Sequence, residues 1–523
     1  MLHWSIFLRR KIYYTIKKAL FMHPFKAILF ITICALSLFK LNAQNSFITK
    51  FNTPVDEYIG PFIQNAEGVY IGTIGRRIAS INYSKCSLYK VSINGDTLFS
   101  KTFQKPDTLM NAWSIIQSSE NPIEYLAYGS GFDTTSTPYS LFSYFTKLDN
   151  NFNTIWEKKY ILRPSGVPSL NEFWSHMISK KDGGYFFASN FDNPGDERLV
   201  LFELSEEGDS LAYRVYEDDS AGYTLMCISY NHDSTAYQLY TWGAHYIPFN
   251  GMAQCITVDF DLNQTDVKHY PRYFDDGLAA KLLPNGQLIT GGLYQNSDLP
   301  PAEASYMAVL KHDTSFNLLA ECYVGDPDYD IRKDNGFRSM DFYYPSSIFV
   351  AGTFDYTTTV WAQRPSWIVI GKMDSDLNLL TEKYLGGDAY YHFNTITATS
   401  DGGALITTLR YDYLTQYHEH DAYIIKLDSM DLTVGVPERK DKKLVDAIVY
   451  PNPSSEVVNV RTAIKNAVFE LYDLSGKKLL SQPLTTLITQ IKLENIIDGT
   501  YVWGVLQQNK IIETGKIIKT NNN

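Results

Sequence analysis

The stretch "YFTKLDNNFNTIWEKKY", Tyr144–Tyr160, decides the fold. An alternating apolar segment runs into Asp149, a polar turn follows, Asn153 stands four residues after the Asp, and a second aromatic-rich strand begins. Period-two alternation on both sides of a polar turn is the mark of a hairpin. The same sentence is written six more times: "LYKVSINGDTLFSKTF", "LFELSEEGDSLAYRVY", "CITVDFDLNQTDVKHY", "AVLKHDTSFNLLAECYVG", "VIGKMDSDLNLLTEKYLGG" and "YIIKLDSMDLTVG". Their anchors are Ser92, Asp149, Ser205, Asp259, Asp313, Asp374 and Asp428, spaced by 57, 56, 54, 54, 61 and 54 residues. The partners four residues on are Asp96, Asn153, Asp209, Asn263, Asn317 and Asn378, and only the copy at Asp428 lacks one.

A second hairpin marker falls between these units. It reads "AEGVYIGT", "NPIEYLAYGS", "KDGGYFFASN", "DSTAYQLYTWG", "PNGQLITGG", "PSSIFVAGTF" and "SDGGALITT". Each period therefore holds about four strands, and a four-stranded unit repeated at this spacing is a propeller blade. The seventh copy has no aromatic-rich outer strand after Asp428. The missing strand is supplied by "NSFITKFN", Asn45–Asn52, at the other end of the chain, which closes the ring and removes an open edge. The expected fold class is all-β: a seven-bladed β-propeller over 44–433, followed by a small immunoglobulin-like β-sandwich over 446–523.

Composition agrees. The 523 residues include 38 Tyr and 29 Phe, and aromatics make up 14% of the chain, which favours strands. "AILFITICALSLF", Ala27–Phe39, follows Lys26 and ends in "LNAQ". It is short for a membrane span and fits a secretory leader over 1–43, cut after Ala43. Met22 is a second candidate start, and Cys34 has no lipobox before it. No permanent transmembrane segment is expected. Residues 1–43 carry seven Lys/Arg and no Asp/Glu, so the remainder has a formal charge of −18 against −11 for the whole chain. That acidity opposes nucleic-acid binding, because phosphates would be repelled. Cys86, Cys227, Cys255 and Cys322 form no C-x-x-C and read as buried thiols.

The repeats resemble bacterial propeller repeats with "DGGY" turns, "KLD" turns and "W-x-K-x-Y-G-G" outer strands, although only Gly183–Gly184 and Gly402–Gly403 keep the full "DGG". That family does not fix a function. After a charged linker, 434–445, the chain restarts with "DAIVYPNPSSEVVNVRT". Pro451 and Pro453 cannot donate ladder hydrogen bonds and so separate two strands. In "AVFELYDLSGKKLL", Phe469 and Leu471 share one face, and Val468, Glu470 and Tyr472 the other. Four landmarks, "YPNP" (Tyr450, Pro451, Asn452, Pro453), "LYDLSGK" (with Asp473 and Gly476), "GTYV" (with Gly499 and Tyr501) and "GKIIK" (with Gly515 and Lys516), resemble the C-terminal sorting domain of the type IX secretion system of Bacteroidetes. The resemblance implies export, with the type IX machinery as partner, and a mature protein released or held on the outer cell surface.

Chemistry is sparse. No H-E-x-x-H, G-x-S-x-G or P-loop motif occurs, and the sialidase turn S-x-D-x-G-x-x-W is missing. "GDPDYD" sets Asp326, Asp328 and Asp330 at alternate positions, a candidate Ca²⁺ loop that also fits a plain acidic turn. "YHEHDAY" brings His418 and His420 together, but two histidines make half a metal site and a solvated loop is the simpler reading. Trp242, Tyr246 and Trp361 are aromatic candidates for stacking on a glycan or protein ligand, against ordinary packing between blades. Three functions stay open: a binding or adhesion module, a secreted hydrolase or lyase acting on polysaccharide or peptide, and a structural spacer with no ligand.

Overall fold

Every described element is a strand. The computed structural model describes residues 46–520, less 52–55, 79–82, 104–107, 134–139, 163–170, 193–197, 217–220, 247–248, 270–275, 296–304, 326–330, 333–337, 415–418, 433–446, 451–453 and the single positions 358, 360, 455, 463, 487 and 509. The expected leader over 1–43, the expected linker over 434–445, the Asp326–Asp328–Asp330 candidate, His418 and Pro451–Pro453 lie outside these residues.

Among the described residues before 433, seven antiparallel sheets follow one another. Blades 1 to 5 span Glu57–Phe103, Thr108–Tyr160, Asn171–Tyr216, Ala221–His269 and Asp276–Val324, each with four strands in sequence order. Blade 6 has a divided inner strand, Ile331–Arg332 and Met340–Phe342, then Ile348–Phe354, Trp367–Met373 and Leu379–Gly386. Blade 7 comprises Tyr390–Ala398, Ala404–Tyr411 and His420–Leu427, and its fourth strand is Phe47–Phe51 from the start of the chain. The closing register pairs Phe47 with Lys426 and Phe51 with Ala422. All eight residues of His420–Leu427 are buried, so this strand needs a neighbour on both edges. The apolar core lies between adjacent blades. Phe51, Ala422 and Ile424 of blade 7 pack with Phe62, Tyr70 and Ile74 of blade 1, which joins the last blade to the first.

The repeated turn has a local cause. Asp149 Oδ1 accepts the backbone N–H groups of Asn151 at 2.8 Å and Asn153 at 2.7 Å, and the Asn153 side-chain amide donates to Asp149 Oδ2 at 2.9 Å. The Asp259–Asn263, Asp313–Asn317 and Asp374–Asn378 turns repeat this bonding, while Ser92 and Ser205 accept the same two N–H groups through Oγ. The third residue after the anchor is left-handed. It is Gly95 or Gly208 in the Ser copies, but Phe152, Leu262, Phe316 or Leu377, with φ of 61–66°, in the Asp copies. A left-handed residue with a shifted register is the bulged three-residue hairpin loop.

The turns also join blades. Thr49 Oγ1 donates to Gly95 O, Lys101 Nζ to Phe152 O, Tyr160 OH to Gly208 O, Tyr216 OH to Leu262 O and Lys383 Nζ to Asp431 O. Side chains of one outer strand thus satisfy carbonyls in the turn of the next blade.

The C-terminal strands form a three-stranded sheet (Ala447–Tyr450, Val457–Thr462, Ile488–Lys492) and a four-stranded sheet ordered Lys478–Leu484, Ala467–Tyr472, Gly499–Gln507, Lys510–Lys519. Phe469, Leu471, Val458 and Val505 meet in their shared core.

Candidate functional site

The inner strand of each blade ends in a short turn, and these turns gather at one mouth of the ring. A cavity of about 610 Å³ opens there, lined by residues from blades 1, 2, 3, 6 and 7. Its wall is amide and hydroxyl: Gln64, Asn65, Gln117, Ser119, Ser179 and Ser400, with Glu120 as its carboxylate and Tyr343 as its aromatic ring. The glutamines are held in place. Gln64 Oε1 accepts Ser400 N–H at 2.8 Å across the blade 7–blade 1 seam. Gln117 Oε1 accepts Ala66 N–H at 3.0 Å across the next seam.

Tyr343 is 56% exposed. Its ring meets Tyr344 edge to face at 4.8 Å, and the Tyr344 hydroxyl donates to Ser400 O at 2.9 Å. Lys281 of blade 5 fixes the strand before this pair by donating to Asp341 Oδ1 at 2.7 Å, while Asp341 Oδ2 accepts Ala398 N–H from blade 7. An open aromatic face beside fixed neutral donors and acceptors suits a polyhydroxylated ligand. Nothing in "DFYYPSSIFV" marks Tyr343 as different from the many other tyrosines; only the ring brings it beside residues as distant as Gln64.

The opposite end of blade 7 carries a different cluster. His420 reads from sequence as loop, but it begins the third strand and is buried. The correction has a cause: Asp56 Oδ1 lies 2.9 Å from the His420 backbone N and 2.8 Å from its Nδ1. Trp361 stacks on His420 at 4.6 Å and meets Tyr411 edge on at 5.0 Å, so one face of this predicted ligand aromatic is already covered. Trp242 and Tyr246 lie on the strand Tyr237–Tyr246. Among the described residues, no group of three His, Cys, Asp or Glu could hold a metal ion. Cys86, Cys227, Cys255 and Cys322 are buried thiols, and burial pushes that of Cys322 up to about 11.

The sorting landmarks divide by role. Asp473 builds the propeller turn again: its Oδ1 accepts Ser475 and Lys477 N–H at 2.9 and 3.0 Å, and Gly476 takes φ 85°. Tyr501 is buried and its hydroxyl donates to Ile497 O at 2.6 Å. Gly515 faces the Trp503 ring so closely that a Cβ would lie 2.6 Å from it. Gly499 opens the strand that follows, Lys516 is exposed, and Tyr450 ends the first strand of the three-stranded sheet.

Residues 448–520 match a protein-family model, the secretion system C-terminal sorting domain. The fold and this domain define an exported β-propeller protein. Its C-terminal segment is a type IX sorting domain, which directs the chain out of the cell and to the cell surface. No curated protein matches the chain in sequence. Similar solved structures include the polysaccharide lyase Uly1 (10% identity, TM-score 0.43, 72% of this chain and 90% of that one) and the Dos1 propeller (9%, 0.37, 74% and 97%). Another is PorZ, a surface component of the type-IX secretion system of Porphyromonas gingivalis (10%, 0.20, 89% and 75%). No helix among the described residues is long and apolar enough to cross a membrane.

Proposed function

We propose that the exported ring is a binding module whose ligand is a glycan met outside the cell, held at the channel mouth. The leader-like residues 1–43 carry the chain into the export route and the sorting domain takes it across the outer membrane. The observation that carries the ligand reading is the 56% exposed Tyr343 beside a cavity walled by oriented amides and hydroxyls. Sugar rings present axial C–H groups to an aromatic face and hydroxyls to such a wall.

The test uses residues 44–523 against a glycan array, with product release followed in parallel. Binding without turnover is expected. Tyr343→Ala should weaken it about tenfold, equivalent to roughly 1.4 kcal/mol, with no change in thermal unfolding, because the ring is exposed. Binding that ignores Tyr343→Ala removes the site. Release of reducing ends replaces the binding module with a hydrolase or lyase, and capture of matrix proteins alone replaces the glycan with a protein.

A further inference from the structure

Arg410, on the second strand of blade 7, is buried, with its side chain only 1% exposed. Its Nη2 lies 2.8 Å from Asp388 Oδ2, its Nε donates to the Tyr391 hydroxyl at 3.2 Å, and its Nη1 lies 3.6 Å from Asp412 Oδ2. The propeller thus sets two carboxylates around one guanidinium. Breaking one partner out of a buried ion pair is costly. A second cation reaches Asp412 from the sorting domain. Arg461, on the strand Val457–Thr462, puts Nη1 2.5 Å from the same Asp412 Oδ2. The Arg461 side chain is only 8% exposed, unusual for an arginine on a small sandwich. Asp412 is held to receive it, because its other oxygen accepts Leu414 N–H at 3.2 Å.

We propose that the sorting domain docks on blade 7 of its own propeller, with Arg461 as the latch and Asp412 as the catch. The domain is then not a free tail. It completes an alternating row of charges, Asp388, Arg410, Asp412 and Arg461.

The linker supplies the readout. Residues 434–445 contain Arg439, Lys440, Lys442 and Lys443, all trypsin sites. The intact chain 44–523 would be compared with R461Q, which leaves the propeller sequence untouched, and with D412N, which leaves the sorting domain untouched. K492Q, at a lysine 71% exposed in the same domain, controls for loss of one charge. R461Q and D412N should each be cut in the linker at least roughly tenfold faster, and should give a larger radius of gyration by small-angle scattering. The double variant should go no further than either single one, since both break one contact. K492Q should match wild type. Cleavage rates and dimensions equal in wild type, R461Q and D412N overturn the latch, as does full additivity in the double variant.

Discussion

Phe152 shows how one residue carries conflicting demands. Its φ of 61° puts a Cβ where a left-handed turn disfavours one, at about 1–2 kcal/mol. Its ring is nevertheless fully buried, against Tyr125 and Phe99. Removal of a buried Phe costs about 3–5 kcal/mol, so packing wins. The prediction is an inverted order of variants: Phe152→Ala and Phe152→Gly both lower the melting temperature, but Gly lowers it less, whereas in an ordinary strand Ala is the better residue. The anchors titrate. The amide of Asn317 holds the Asp313 carboxyl below its usual value, and that of Asn378 does the same for Asp374. A depressed folded value means stability that is complete above the unfolded value of about 3.9 and lost as pH falls through the folded one. Melting temperature should therefore drop with acidification below about pH 4, and Asp313→Asn should flatten that drop while lowering the neutral plateau.

At the level of elements, the closing strand is the most exposed to test. Phe47–Phe51 covers one edge of a wholly buried strand, and Phe51 enters the blade 7–blade 1 core. Deletion of residues 45–52 should destabilise the ring by at least about 3 kcal/mol from Phe51 alone, read as an earlier unfolding midpoint in urea. A midpoint equal to wild type would falsify closure by this strand. This element was legible in the sequence because "NSFITKFN" repeats the outer-strand pattern and blade 7 lacks one. The turns were legible for a similar reason, since Asp149 bonds residues two and four positions away. The left-handed Phe152 and Leu262 were not, because neither side chain signals positive φ and only burial between blades selects it. The channel mouth was hidden too: Gln64, Gln117, Tyr343 and Ser400 meet only after closure of the ring. His420 misled because Asp56, which pins it, lies 364 residues earlier.

At the scale of the whole molecule, the two folded parts answer to different constraints. The ring is closed by its own first strand, so its edges are paired without help from the sandwich. The sandwich has a separate core around Phe469, Leu471 and Trp503. Export and folding should therefore separate cleanly. A chain ending at residue 445 keeps all seven blades and loses the sorting domain matched at 448–520. It should fold, with melting close to that of the full chain, yet stay inside the outer membrane. A finer lesion makes the same separation: at Gly515 a Cβ would meet the Trp503 ring at 2.6 Å, so Gly515→Val must displace a core residue of the sandwich alone. Cell fractionation with melting of the purified propeller checks both. If Gly515→Val abolishes surface delivery and leaves the main unfolding transition in place, sorting reads the folded sandwich. If delivery persists while the sandwich is unfolded, sorting reads the landmark residues as a linear peptide.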